Sequence, residues 1–327
     1  DAGYFAPYVE KIQSGLRIVD THDASLFQER YPQRVFQRFD AIAPILVQSL
    51  LFIENRELLD PRYPARNPAV DWSRLAQAVV AKATSEVTGD ARTPGGSTLA
   101  TQIEKYRHSF EGRTVSVEEK FRQMVSAALR AYQQGEDTLA ARRQIVLGYI
   151  NTMPLSAKAG FGEVHGLGDG LWVWYGRDVN DVNRLLTRPD AGAPGGDLAE
   201  VAQHYKEALS LLIAQRRPSY YFAVNASELE QLTDRHLRLL GSAGVIPTAL
   251  RDAALQARLN RRASPVPVEA TSFVAQKAAN AVRTHLAGLL GGIRLYDLDR
   301  LDLDVSSTLD APVQSAVTDL LRSLRNP

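Results

Sequence analysis

Cysteine is absent from this chain of 327 residues. Disulfides, thiolate metal sites and cysteine nucleophiles are therefore excluded, while the compartment stays open. A dominant charge is absent too, since 38 Lys and Arg stand against 37 Asp and Glu for a formal net charge of +1. The molecule as a whole gives no electrostatic reason to bind nucleic acid, and any anion site must be local. Long apolar runs are likewise missing. The longest, Ala41 to Ile53, is about 13 residues and contains Pro44, whereas a membrane span needs about 20. The sequence holds no signal peptide and no transmembrane helix. Starting at Asp1 rather than Met, it reads as a fragment or processed form, with any membrane anchor expected outside it. The histidines (His22, His108, His165, His204, His236 and His285) are scattered, with no pair at metal-ligand spacing. No residue is therefore assigned as a metal ligand.

What remains is an ordinary globular composition, 45% hydrophobic and 23% charged, in a chain long enough for one large domain or two smaller ones. Helical periodicity dominates up to about Ala257. Ala41–Ile53 reads as a buried helix with Asp40 as N-cap. Leu75–Ala83, Leu139–Ile150, Leu198–Ile213 and Leu229–Leu240 read as further helices, and Ser97 as the cap of a helix beginning after Gly95-Gly96. Pro154–Gly170 and Arg188–Gly196 read as loops. After the breaker Ala263-Ser264-Pro265-Val266-Pro267 come a helix from Ser272 to Leu290 and a strand pattern at Leu301, Leu303 and Val305. A final helix reaches Leu324, capped by Asp310. The expected organisation is a mainly α domain over residues 1–262, then a short α/β linker region over 263–327.

Four blocks carry the chemistry. Glu54 ends an apolar run, Leu50-Leu51-Phe52-Ile53, so its carboxylate should be partly desolvated, which makes a carboxylate a better base near neutral pH. In Gly95-Gly96-Ser97-Thr98-Leu99-Ala100-Thr101-Gln102, two glycines precede a helix start whose backbone N–H groups suit phosphate. Thr101, Gln102 and Lys105 continue that helix. The run Val117–Tyr132 places Val117, Phe121, Met124, Val125, Ala128, Leu129 and Tyr132 on one stripe, read as core, with Glu119, Gln123, Ser126 and Arg130 on the opposite face and Lys120 and Arg122 flanking it. Last, Tyr149-Ile150-Asn151 precedes five glycines between Gly160 and Gly170, a density that implies backbone close to a ligand or to another helix. Trp172, Trp174 and Tyr175 follow and are read as core rather than as a sugar platform.

In this order the blocks resemble the peptidoglycan glycosyltransferases: glycosyltransferase family 51, the transglycosylase module of class A penicillin-binding proteins and their monofunctional relatives. Glu54-Asn55, Gly95–Gln102, Glu119–Gln123, Tyr149-Ile150-Asn151 and Trp174-Tyr175-Gly176-Arg177 match that family's motifs. Arg217-Pro218-Ser219-Tyr220-Tyr221 resembles its later Pro-Ser element. The resemblance covers roughly residues 40–260, and the tail looks like the linker found in bifunctional members. It implies a lysozyme-like helical domain at the periplasmic face of the bacterial inner membrane. It also implies, as partners, lipid II or another polyprenyl-pyrophosphate-linked glycan, the membrane surface and cell-wall synthesis proteins. In the family the first Glu, here Glu54, deprotonates the acceptor 4-hydroxyl, and the donor's polyprenyl pyrophosphate leaves with inversion. Some members use a divalent cation, Mg or Mn. Carried over by position, the catalytic candidates are Glu54, Gln123 and Glu119. The substrate- and phosphate-binding candidates are Ser97, Thr98, Gln102, Lys105, Arg113, Lys120 and Asn151.

The chain departs from the family pattern at Asn55, which replaces an Asp, at Gln123, where the second catalytic Glu is expected, and at Leu147, a usual Glu. Two residues more than the usual spacing separate Arg113 from Gln123. An amide donates hydrogen bonds but neither holds a metal nor balances charge as a carboxylate does. Three readings follow: a divergent polymerase; a pseudoenzyme that retains the fold to grip lipid-linked glycan or to regulate; and a lysozyme-like hydrolase, which also needs one key Glu but leaves the Gly-Gly-Ser-Thr block unexplained.

Overall fold

A helix that is apolar on almost every side has one stable place, the interior. Leu198–Ala214 is such a helix, and in the computed structural model it runs through the middle of its unit, buried continuously from Tyr205 to Ala214. The structure describes residues 13–69, 98–108, 117–188, 197–266, 273–292, 294–298, 301 and 303–325. Two compact units result: one built on Arg34–Ser264, the other on Lys11–Gln33 with Pro265–Pro327.

The first unit is helical. In chain order it contains α1 (Pro44–Glu54), α2 (Leu99–His108), α3 (Val117–Ala131), α4 (Leu139–Thr152), α5 (Gly166–Gly170), α6 (Val179–Thr187), α7 (Leu198–Ala214), α8 (Ala226–Ser242) and α9 (Thr248–Gln256). Single π-helical turns lie at Leu171–Tyr175 and Tyr220–Val224. Helices α1, α5, α6, α8 and α9 pack around α7, while α2, α3 and α4 pack on one another. The polar residues of α7 are buried in pairs. Tyr205 Oη bonds Ser49 Oγ at 2.7 Å and Ser210 Oγ bonds Tyr175 Oη at 2.6 Å. Glu207 accepts from Arg177 Nε at 2.8 Å, and Lys206 Nζ lies 2.7 Å from Asp234. The pairs tie α7 to three neighbours, α1, the segment after α5 and α8, and pairing is what makes burial of such groups tolerable. Burial pushes both tyrosine hydroxyls well above the usual phenol range.

The second unit carries three strands, β1 (Ser14–Val19), β2 (Ser25–Tyr31) and β5 (Leu303–Ser306), in the order β2-β1-β5, with β1–β2 antiparallel and β1–β5 parallel. Helix α10 (Phe273–Leu289) covers the sheet through Ala279, Val282 and Leu286, packed on Leu16 and Ile18. The short α11 (Leu295–Leu298) and then α12 (Ala311–Arg325) complete it. Asp310 caps α12 as expected, its Oδ1 accepting from Val313 N at 2.9 Å.

Several expectations need correction. Strands β1 and β2 join the C-terminal segment through β5, so the second unit takes in chain before Arg34 and is not the simple tail 263–327. The reason is that β1 needs partners on both edges, and β5 supplies one from the far end of the chain. Pro154–Gly170 is not an irregular loop but a hairpin of β3 (Pro154–Lys158) and β4 (Gly162–His165) running into α5. Helix α1 is capped at Ala43, with Asp40 in a preceding single turn. On α3 the stripe read as core is partly turned outward: Phe121 is 59% and Leu129 52% exposed, whereas Gln123, Ser126 and Ala127 are buried. Ala100 and Ala127 meet in a small-residue cluster there, so α3 packs through its short side chains rather than its bulky ones. Leu75–Ala83 and most of Arg188–Gly196 lie outside the described residues.

The segment after α1 is held by its carbonyls. Arg142, fully buried on α4, donates to Leu58 O at 2.7 Å, Tyr63 O at 2.8 Å and Pro64 O at 3.1 Å, and burial pulls its pKa below the usual guanidinium value. Removing it strands those acceptors. Arg142→Ala is expected to lower unfolding free energy by about 3 kcal/mol in denaturant titration, against little change for the exposed Arg143→Ala.

Candidate active site

Glu54 is the last residue of α1, where Asn55 turns to extended backbone and ends the helix. Only 5% exposed, it needs donors, and among the described residues three reach it. Gln102 Nε2, from α2, donates to Oε2 at 3.3 Å. From the segment just after α7, Gln215 Nε2 donates to Oε1 at 3.3 Å and Arg216 Nη2 at 3.2 Å. Tyr149 on α4 donates its hydroxyl to Gln102 Oε1 at 3.2 Å, which turns the other end of that amide toward the acid. One carboxylate thus gathers α1, α2, α4 and the end of α7. His236 on α8 lies within electrostatic reach of Glu54, Arg216 and Arg235, and its pKa is drawn down first by burial and then by the two arginines.

The start of α2 is a capping arrangement. Thr98 Oγ1 accepts from Thr101 N at 3.3 Å, and Thr101 Oγ1 accepts from Thr98 N at 2.8 Å. Thr98 thus caps the helix start, and both threonine hydroxyls are buried in that exchange; Ser97, expected as the cap, lies outside the described residues.

Asn151, expected at the substrate, is used elsewhere. Its Oδ1 accepts from Phe36 N at 2.9 Å and its Nδ2 donates to Phe36 O at 2.8 Å, so both ends of the amide clamp one backbone residue. The glycines that follow serve the same junction. A Cβ on Gly166, whose φ is +73°, would sit 2.2 Å from Asn151 O, and one on Gly168 would sit 2.1 Å from Arg34 O. Their absent side chains admit other backbone, not a ligand. Trp174 is core, stacked on Phe222 with centroids 4.3 Å apart, and Trp172 lies between the guanidiniums of Arg34 and Arg262, each 4.5 Å from its ring.

Of the other expected residues, Gln123 is buried on α3 but is not among the described partners of Glu54. Lys105 lies on α2, and Glu119 and Lys120 on α3, with side chains outside the described residues, as are Ser97 and Arg113 entirely. Gln215, Arg216, Tyr149 and His236 were not assigned from sequence. One signal was present for the first two: like Glu54, Gln215-Arg216 is a polar pair closing an apolar helix, just before the Pro218-Ser219 element.

Chemically, a buried acid beside a half-exposed guanidinium takes a proton from a hydroxyl and steadies a departing anion. The described donors around Glu54 are nitrogens, which do not fit a divalent cation seeking oxygen ligands. Among the described residues no group of three or more His, Asp or Glu side chains is placed to hold a metal.

Two predictions follow from this geometry. Tyr149→Phe frees the Gln102 amide to rotate and is expected to cut turnover about tenfold, with stability nearly unchanged in thermal melts. The lowered pKa of His236 means that the unfolded chain takes up a proton at higher pH than the folded one. This cost is absent above the ordinary value of 6.5 and grows as pH falls below it. Denaturant unfolding from neutral pH down to about pH 5 should therefore show a smaller stability loss for His236→Asn than for the parent.

Compared with curated protein sequences, the chain gives no match. Compared with known protein families, residues 22–243 match the family described as Transglycosylase. That stretch holds Glu54, all three of its donors, Tyr149 and His236, and it is more than half the chain: this protein belongs to the transglycosylase family.

Proposed function

We propose that the chain is a peptidoglycan glycosyltransferase that polymerises lipid II or a related polyprenyl-pyrophosphate-linked sugar. Membership in the transglycosylase family supports that activity class and a lipid-linked glycan substrate in general. The observation that carries the finer reading is the burial of Glu54 against Gln102, one turn inside the Thr98-capped helix. In this reading Glu54 takes the proton from the acceptor sugar's 4-hydroxyl. The resulting oxygen attacks the donor's anomeric carbon, the bond from that carbon to the pyrophosphate oxygen breaks, and the polyprenyl pyrophosphate departs with inversion. Gln102 and Gln215 hold the carboxylate in place, and Arg216 offsets charge beside it. No step is routed through a metal.

The reading places the protein at the periplasmic face of the bacterial inner membrane. No helix among the described residues is long and apolar enough to cross a membrane. The exposed Phe121 and Leu129 of α3 instead supply apolar side chains suited to a lipid surface.

A second reading is favoured by one residue: Gln123 brings an amide where the resemblance expects the second carboxylate. On it the fold is a binding or regulatory module for lipid-linked glycan. Incubation with lipid II separates the two. The polymerase reading expects glycan chains whose formation falls by roughly a hundredfold or more in Glu54→Gln. Tight lipid II binding with no product, unchanged in that variant, establishes the binding module. Fragments released from preformed peptidoglycan establish a hydrolase.

A further inference from the structure

Arg216 bonds Glu54 with 53% of its side chain in solvent, so the bond depends on how firmly the backbone beneath it is fixed. That backbone continues as hydrogen-bonded turns. Arg217 N donates to Ala214 O at 3.0 Å and Tyr221 N to Arg217 O at 3.1 Å, which leads into the single π-helical turn Tyr220–Val224. A turn that short leaves its carbonyls short of intrahelical donors. Arg261 supplies them. Its Nη2 donates to Tyr221 O at 2.6 Å and its Nη1 to Phe222 O at 3.0 Å, with the guanidinium 5.3 Å from the Phe222 ring. Bonds from a guanidinium are stronger than neutral ones, and its planar fork fixes direction as well as distance. Arg261 is held in turn. It lies on the irregular stretch 257–262 after α9, which side chains of α7 and α8 fasten residue by residue. Lys206 Nζ, fully buried, donates to Ala257 O at 2.6 Å, and Gln203 Nε2 donates to Arg258 O at 2.6 Å. Glu230 Oε1 accepts from Leu259 N at 3.3 Å, and Arg262 N donates to Trp174 O at 2.8 Å. Displacing the stretch would strip a buried ammonium of its carbonyl, so its path is tightly set.

We propose that Arg261 is a positioning residue: by pinning the turn Tyr220–Val224 it holds Gln215 and Arg216 at bonding distance from Glu54. The inference rests on the reading of Glu54 as the base of glycosyl transfer. Arg261 is not among the described partners of the acid. It acts through the Tyr221–Arg217 and Arg217–Ala214 bonds, the second of which spans Gln215 and Arg216. A shift of the turn moves both donors together, and their bonds to Glu54, at 3.3 and 3.2 Å, already stand at the long end of the normal range. The stretch that carries Arg261 lies beyond residues 22–243, the part matched to the transglycosylase family, and outside all of the sequence motifs.

Two readouts test this. In lipid II polymerisation, Arg261→Gln should lower kcat about tenfold with KM changed by no more than about twofold. Arg261→Lys, which keeps the cation but not the fork, should recover part of that loss. In a chain already carrying Arg216→Gln, the further loss from Arg261→Gln should shrink to about threefold or less, whereas a general loss of packing would multiply the two effects. The second readout needs no turnover. The coupling between Glu54 and Arg216 comes from denaturant unfolding of Glu54→Gln, Arg216→Gln and the double variant. It should fall to less than about half when Arg261→Gln is present. Circular dichroism checks that each variant is folded, and Arg261→Lys carries both measurements if Arg261→Gln is not. Coupling that Arg261 variants leave unchanged, kcat that they leave unchanged in an active parent, or losses that multiply with Arg216→Gln each overturn the proposal. A parent that makes no glycan chains counts against the catalytic reading alone, and the coupling then decides this one.

Discussion

A carboxylate taken out of water must be given donors, and in this protein that requirement organises the whole neighbourhood of the site. Burial of Glu54 is made tolerable by Gln102, Gln215 and Arg216, which converge on it from two other parts of the chain. Gln102 is in turn oriented by Tyr149. Shifting α2 or the end of α7 by an ångström would lengthen bonds that already stand at 3.2–3.3 Å and leave a charge unanswered. The position of the acid is therefore a property of four packed segments rather than of α1.

Helix α7 makes that convergence possible. Its apolar faces fill the middle of the first unit, and its buried polar residues are matched one by one with neighbours: Ser49 on α1, Tyr175 and Arg177 after α5, and Asp234 on α8. These pairings add little net stability compared with apolar packing, but an incorrect arrangement would strand a buried charge, so they specify which neighbour lies where. The end of α7 is accordingly delivered to Glu54 in a fixed register, and α8 packs along α7. The Asn151 clamp on Phe36 and the backbone contact made possible by Gly168 fix the start of the unit in the same manner.

Much of this architecture is legible in the sequence where a pattern is local. The apolar run before Glu54, the helical periods of α4, α7 and α8, and the Asp310 cap depend on residues a turn or two apart, and the folded chain keeps them. Patterns that depend on a distant partner misled. The stripe on α3 has the period of a core face, yet close approach through alanines turns Phe121 and Leu129 outward. Asn151 sits in a motif that resembles a substrate-binding one, yet its amide is consumed by Phe36, more than a hundred residues earlier in the chain.

The sequence by itself therefore determined the helical class, the family resemblance and the apolar run that ends at Glu54. Each rests on residue types and spacings that neighbours along the chain can express. Only the tertiary structure decided what surrounds that acid. Hydrogen bonds of about 3 Å between Glu54 and residues 48 to 162 positions away arise from packing, and one-dimensional spacing contains no term for which buried donor meets which buried acceptor.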